Sequence, residues 1–188
     1  MIQRFAENQN WAKVAPWMGV GAAVLLFWRF KPSDAMFWAL VNIPLYLFHQ
    51  TEEHLWPGGF KQYMNRVIYN KPDGVETLTD EKVFWINILL VWVSFALFGS
   101  LASIDIGFGL LIIVFSIINC ATHIIQGMIH REWNPGLVMA SVQFLISIYG
   151  AYFITSHGLT SRLLWWIGAL TFSVAVHAVL FKKVMKPQ

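Results

Sequence analysis

Hydrophobic residues in this chain form six long segments that are separated by polar and charged residues. The segments cover residues 14–30, 35–56, 83–104, 106–129, 136–156 and 162–181. A helix needs about 20 largely apolar residues to cross a bilayer. Irregular backbone at lipid depth would leave its hydrogen bonds unmade. The pattern therefore predicts an all-α polytopic membrane bundle of about six transmembrane helices.

The composition agrees with a membrane protein. Hydrophobic residues make up 57% of the chain and charged residues 12%, whereas soluble domains have about 45–50% and about 25%. So little charge is atypical of soluble, disordered and nucleic-acid-binding proteins. Because the sequence contains no repeat, we expect residues 1–188 to form a single transmembrane domain.

Basic residues predict the orientation of the bundle. With the N-terminus inside, ten lysines and arginines fall in inner segments and three in outer segments. The inner ones are Arg4, Lys13, Lys61, Arg66, Lys71, Lys82, Arg131, Lys182, Lys183 and Lys186; the outer ones are Arg29, Lys31 and Arg162. Since cytoplasmic loops carry an excess of Lys and Arg, we expect both termini to be cytoplasmic.

The longest connection, residues 57–82, allows two interpretations. Its hydrophobic residues recur at helical spacing, which favours a short amphipathic helix on the membrane surface. These are Phe60, Tyr63, Met64, Val67 and Ile68. The alternative is an ordinary ordered loop. Thr79 or Asp80 is expected to cap the helix that follows.

The second segment is unusual because only its first fourteen residues, 35–48, are apolar. The helix can cross the membrane only if it includes the ionisable stretch His49–His54. Ionisable side chains at this depth are costly unless they are paired. Pro44 within the segment is expected to kink the helix and to free the carbonyl of Leu40.

Helix geometry groups the ionisable residues of this segment. His49, Glu52 and Glu53 share one face, which Tyr46 extends, whereas His54 lies roughly 140° away from His49. Two adjacent carboxylates cannot both stay charged in an apolar site without a cation. Either one carboxylate is protonated or a metal ion lies between the two.

Polar partners occur in the later segments. In the fourth, Asn119, His123, Gln126 and His130 are spaced by four, three and four residues, which places them on one helix face. His177 stands alone in the sixth segment, and Asn87 is the one amide in the apolar run of the third. With the predicted orientation, His49, His123 and His177 lie roughly 6–12 Å from the inner helix ends, and Asn87 at a similar depth. We therefore expect one shared site in the inner leaflet.

Motifs in this region resemble a bacterial membrane family named for an H-x-x-E-E motif. The motif reads His49-Gln50-Thr51-Glu52-Glu53 and is followed by Trp56-Pro57. The family pattern also includes the fourth-segment histidines and an aromatic-x-P-G turn, here Trp133 to Gly136, which we interpret as a tight cytoplasmic turn. The resemblance implies a multi-span protein with a required His/Glu cluster and no established reaction. We expect the bacterial inner membrane as its location.

Our leading hypothesis is a membrane-embedded metal enzyme. Its mixed nitrogen and oxygen ligands suit zinc or iron, with one or two ions. The candidate ligands are His49, Glu52, Glu53, His123, His177 and His130, of which Glu52, Glu53 and His49 are also catalytic candidates. The residues expected to orient ligands or substrate are Asn119, Gln126, Asn87, Tyr46 and His54.

Three functions follow from these residues. The first is a metal-dependent hydrolase or oxidoreductase acting on a membrane lipid or another lipophilic small molecule, with no nucleic-acid partner. The second is a metal-free acid–base isomerase for a sterol- or isoprenoid-like substrate. The third is a proton or metal-ion carrier. The sequence leaves the substrate and the oligomeric state open.

Overall fold

A computed structural model describes residues 2–184, and Lys186 of the charge argument lies outside the described residues. The described chain is all-helical, with 79% helix and no strand, which confirms the predicted fold class. The α-helices are α1 (Ile2–Ala6), α2 (Ala15–Arg29), α3 (Ala35–Leu40), α4 (Asn42–His54), α5 (Phe60–Tyr63), α6 (Asp80–Trp85), α7 (Ser94–Leu101), α8 (Gly107–His130), α9 (Leu137–His157) and α10 (Arg162–Val179). A 3₁₀ segment covers Glu7–Val14, and π-helical segments cover Met64–Ile68, Ile86–Val93 and Leu180–Val184.

Five helices of the described chain are long and apolar enough to cross a membrane. They are Gln3–Arg29, Asp80–Leu101, Gly107–His130, Leu137–His157 and Arg162–Lys182. The predicted second span is instead divided into α3 and α4 at Val41. Pro44 explains the break, because it has no N–H to donate to the carbonyl of Leu40. The count of six spans and the cytoplasmic termini stay predictions.

Helix α8 lies at the centre of the bundle. In its most apolar window 56% of residues are buried, compared with 22–33% in the other four long helices. It packs against α3, α4, α7, α9 and α10. Gly109 allows one of these close approaches, because a Cβ at this position would collide with Ala39 of α3. Side chains on the inner face of α8 are therefore available to a site that several helices share.

The connection between α4 and α6 begins as a helix, α5, which continues into Met64–Ile68. Asn65 then holds the following loop. Its side-chain Nδ2 donates to the carbonyl of Leu78 (2.8 Å), and its Oδ1 accepts from the backbone N–H groups of Thr77 (2.8 Å) and Leu78 (2.9 Å). Thr79 caps α6 by accepting a hydrogen bond from the N–H of Lys82. It is one of the two residues, Thr79 and Asp80, that the sequence offered as this cap.

An ion-pair network closes the same connection. The Nζ of Lys61 lies 2.8 Å from Glu76 Oε1 and 2.9 Å from Asp80 Oδ1. Burial disfavours the charged form of Lys61, but the hydrogen bonds and charges of Glu76 and Asp80 outweigh it and raise the pKa of Lys61. Asp80 also accepts from the N–H of Asn8 and the side chain of Gln9. The network thus joins this connection to the N-terminal segment.

Candidate metal centre

Three buried side chains from two helices converge into one group: His49 and Glu53 of α4, and His123 of α8. The spacing of four residues places His49 and Glu53 on adjacent turns of one face. His49 Nε2 lies 3.5 Å from Glu53 Oε1, and His123 Nε2 lies 3.1 Å from the same oxygen. One ligand atom from each residue lies within 4.8 Å of the others, so the group could hold a metal ion. We call these three residues the triad.

The turn between α8 and α9 packs directly on the triad. Gly136 has a φ of +94°, in the left-handed region that favours glycine. A Cβ at this position would lie 2.7 Å from Glu53 Cγ and 3.1 Å from carbon atoms of both His123 and His49. The turn therefore forms one wall of the site, in addition to reversing the chain.

Asn134 of the same turn fixes the orientation of His123. Its Nδ2 donates to the backbone carbonyl of His123 (3.0 Å), and its Oδ1 lies 3.0 Å from His123 Nδ1. Because a carbonyl can only accept, the Nδ2 assignment places Oδ1 against the ring, and Nδ1 must carry a proton to donate to it. In a neutral ring, Nε2 then presents a lone pair to Glu53 Oε1.

The two glutamates of the motif have different partners. The carboxylate of Glu52 accepts from the backbone N–H groups of Val138 (3.1 Å) and Met139 (2.6 Å). These N–H groups belong to the first turn of α9, where helix N–H groups lack intrahelical partners and a negative charge is favourable. The structure therefore places Glu52 at the N-terminus of α9 and does not bring it into the triad.

His54 lies closer to the triad than its angle around the helix predicts. Its Nε2 is 3.4 Å from Glu53 Oε2, the oxygen that faces away from His49 and His123. Its ring packs 5.0 Å from the ring of Trp11 and 5.5 Å from that of Phe60. The carboxylate of Glu53 is thus approached by three histidines, two at one oxygen and one at the other.

A buried hydrogen-bond network connects α4 to the long helix Asp80–Leu101. Gln50 donates from Nε2 to Asn87 Oδ1 (2.7 Å) and accepts at Oε1 from Trp92 Nε1 (2.7 Å). Asn87 Nδ2 donates to the carbonyl of Val83 (2.9 Å) and lies 3.4 Å from His54 Nε2. Asn87 therefore supports His54 and α4 from outside the triad.

Three other predicted site residues lie around the triad. Asn119 Nδ2 lies 3.4 Å from His49 Nε2, and the Tyr46 ring centre is 5.5 Å from that of His49. Gln126 lines the adjoining cavity. The structure thus brings Asn119, Tyr46 and Gln126 to the site, one in direct contact with a triad histidine.

Two further predicted ligands, in addition to Glu52, lie apart from the triad. His130 is the last residue of α8 and is exposed. It shares the helix face of His123 but lies too far along the helix to reach the site. His177 is buried and lines the same cavity. Its Nδ1 lies 2.8 Å from the Ser173 carbonyl, and its ring packs 4.9 Å from Phe115.

Glu53 and His123 of the triad line a cavity that holds about 850 Å³ of empty space, part of it open to the outside. Glu53, His123 and Asn119 contribute polar atoms to it. The remaining lining is mostly apolar and includes Phe60, Met64, Leu78, Val91, Phe115 and Leu180. Further polar side chains, which include His54, Asn87 and Gln126, interrupt the apolar lining.

Sequence reasoning missed three residues of the site: Gln50, Asn134 and Gly136. A signal for two of them was present, because Asn134 and Gly136 belong to the aromatic-x-P-G sequence that accompanies the motif. We interpreted this sequence only as a turn, since Asn, Pro and Gly are common turn residues. For Gln50 the sequence carried no signal beyond its place inside the motif.

Residues 40–150 match the model of a family described as proteins of unknown function with an HXXEE motif. No curated protein and no solved structure matches the chain. The match covers more than half of the chain and contains α4, α8 and the turn that carries Asn134 and Gly136. The chain therefore belongs to the HXXEE-motif family of proteins of unknown function.

Proposed function

We propose that this protein is a membrane-embedded, metal-dependent enzyme that acts on a lipophilic substrate. His49, Glu53 and His123 hold one divalent ion, zinc or iron, at the polar end of the cavity. The observation that carries the proposal is the 3.1 Å approach of His123 Nε2 to Glu53 Oε1 while Asn134 engages the other ring nitrogen.

This approach needs a positive charge between the two atoms. An ionised carboxylate only accepts hydrogen bonds, and His123 Nε2 is also an acceptor when Nδ1 carries the single ring proton. Two buried acceptors in contact are unfavourable unless a cation or a proton lies between them. A metal ion between His123 Nε2 and Glu53 Oε1 would be bound by both acceptors. His49 Nε2, which lies 3.5 Å from the same Glu53 oxygen, would be a third ligand.

The donor set fits such an ion. Two atoms that bind one tetrahedral zinc ion at about 2.1 Å lie roughly 3.4 Å apart, close to the 3.1 and 3.5 Å observed. Three protein ligands of mixed His and carboxylate type leave a position for water or substrate, as in catalytic zinc sites. Asn134 supports a ligating histidine by the contact that metal-bound histidines usually make with their second nitrogen.

The chemistry that suits this arrangement is redox-neutral hydrolysis of an ester, amide or phosphoester. A bound ion would supply Lewis acidity for a substrate oxygen and lower the pKa of a bound water. Asn119 presents an amide beside His49 that can orient a polar substrate group. The apolar wall of the cavity, including Phe115 and Val91, would hold the hydrocarbon part.

A second candidate, a metal-free acid–base enzyme, is favoured by the same contact. A proton in place of the ion would make His123 an imidazolium paired with Glu53. Proton transfer between Glu53, a histidine and the substrate is what an isomerase requires. Metal analysis separates the two candidates.

The test is elemental analysis of protein purified in detergent without a polyhistidine tag. We expect about one equivalent of zinc or iron per chain, lost in Glu53→Gln and His123→Gln. His130→Gln is the matched control, because it removes an exposed histidine of the same helix and should keep the metal. Folded wild-type protein without metal, or equal metal in Glu53→Gln, would contradict the metal centre and favour acid–base chemistry. Iron instead of zinc would direct the activity search to oxygen-dependent reactions.

A further inference from the structure

The cavity beside the triad adjoins a groove on the outer surface of the bundle. Ile86 and Leu180 line both the cavity and the groove. Beyond them the groove is formed by Trp85, Leu89 and Leu90, with Glu81 and Lys82 at one end. Trp85 and Leu89 are 37% and 50% exposed. Two side chains, Ile86 and Leu180, are therefore shared by the buried space and the outer face.

The helices that border this groove have the properties of membrane spans. Asp80–Leu101 and Arg162–Lys182 have mean hydropathies of 2.0 and 1.9, and only 22% of each apolar window is buried inside the chain. In a bilayer their outward faces would contact lipid hydrocarbon. The charged Glu81 and Lys82 would lie nearer the polar surface, as expected at a span end. The groove is therefore open to acyl chains and not to water along most of its length.

Both residues at the junction begin π-helical segments. Ile86 is the first residue of Ile86–Val93, and Leu180 is the first residue of Leu180–Val184. π-helical turns are rare and occur frequently at functional sites. A wider turn alters the rotation of the side chains that follow it. Two such segments facing one passage mark it as a specialised part of the bundle.

We propose that the groove and the cavity together bind one hydrocarbon chain of a membrane lipid, which enters sideways between Ile86 and Leu180. The polar group of the lipid reaches the triad, and the chain follows through the apolar cavity into the groove. This inference rests on the proposed function for the reacting end, and it adds the entrance and the class of substrate: an amphiphile with an apolar chain and one polar terminal group.

The experiment uses the full chain in lipid nanodiscs with a fatty alcohol that carries a photoactivatable diazirine in mid-chain. Leu78 and Phe115 line the cavity and are only 1% and 3% exposed, so they can react only with a probe inside it. We expect labelled peptides at these residues after irradiation. Ile86→Trp and Leu180→Trp should each abolish this labelling by filling the passage. Ile86→Ala should increase it, a gain that misfolding would not produce.

Matched controls lie on the same two helices. Leu97→Trp and Val174→Trp add the same ring at positions that are 52% and 56% exposed and that line neither space, so interior labelling should persist. An unlabelled interior in wild-type protein, or labelling that both passage variants leave unchanged, would overturn the proposal. Crosslinks at the groove between two copies of the chain would also overturn it. Metal content is measured in every sample, so a missing metal site and a missing lipid passage give different results.

Discussion

At the scale of single residues, two adjacent glutamates of one motif perform different tasks. Glu53 contacts histidines through both carboxylate oxygens, whereas Glu52 accepts from two backbone N–H groups of α9. Adjacent helix positions are rotated by about 100°, so two such carboxylates readily serve different neighbours. The motif alone, in which both positions are glutamate, cannot distinguish these two roles.

Replacing the two glutamates separately should affect different properties: stability for Glu52 and metal content for Glu53. Glu52→Gln keeps one acceptor for α9 but loses the charge, so we expect a loss of about 1–2 kcal/mol in the free energy of unfolding with the metal retained. Glu53→Gln should lose the metal. Thermal unfolding in detergent and elemental analysis of the same samples measure the two effects. Loss of metal in Glu52→Gln at full stability would show that Glu52 also binds the ion.

Gly136 should tolerate no side chain, for two separable reasons. Gly136→Ala places a Cβ against Glu53 and strains a left-handed backbone at φ +94°. We expect a destabilisation of about 1–3 kcal/mol together with loss of metal. Gly74→Ala is the matched control, because Gly74 has φ +82° and no neighbour within 4 Å of an added Cβ. It should cost stability and keep the metal. If Gly136→Ala retained the metal, the turn would not be needed for metal binding.

At the scale of elements, the site depends on how α4, α8 and α9 are joined. The turn after α8 contributes Asn134 and Gly136, and the first turn of α9 binds Glu52. α4 therefore contacts both helices of one hairpin through neighbouring residues. The connection 57–82 closes the opposite side, where Phe60 packs 5.9 Å from the His123 ring.

The connection before α6 should respond to pH through Lys61. Its pKa is raised by Glu76 and Asp80, so its contribution is complete below the unfolded pKa of about 10.4 and is lost as the pH rises through the higher folded value. Resistance of residues 69–79 to limited proteolysis should therefore stay constant from about pH 6 to about pH 9 on account of this group. Lys61→Met should raise cleavage there at neutral pH. Equal cleavage in Lys61→Met and wild type would show that the ion pairs of Lys61 do not hold the loop.

At the scale of the whole molecule, the orientation that the charges predict can be tested by labelling. The chain has one cysteine, Cys120, which is fully buried. Labelling of an added cysteine should therefore be measured with little background from Cys120. We expect an impermeant maleimide to label Ser33→Cys in intact cells and Gly74→Cys only after permeabilisation. Ser33 and Gly74 are both exposed. The reverse pattern would place the termini and the polar end of the cavity on the outer side.

The helical periodicity of α8 shows how far sequence reasoning reaches. The predicted polar face includes Asn119, His123 and Gln126, which all line the cavity. The same spacing also included His130, which is exposed. Periodicity assigns a residue to a face of a helix but not to a depth along it. His177 shows the same limit, since it reaches the cavity but not the triad.

The sequence by itself determined the all-helical class, the presence of membrane-length helices, the family and a set of six candidate ligands that includes His49, Glu53 and His123. These properties depend on local hydrophobicity, helix spacing and a motif, all of which are readable along one chain. Only the tertiary structure decided that Glu52 accepts hydrogen bonds from α9, that Asn134 and Gly136 contact the triad, and that Ile86 and Leu180 line both the cavity and the outer groove. These roles depend on distances between residues far apart in the chain, which are set when α4, α8 and α9 pack together.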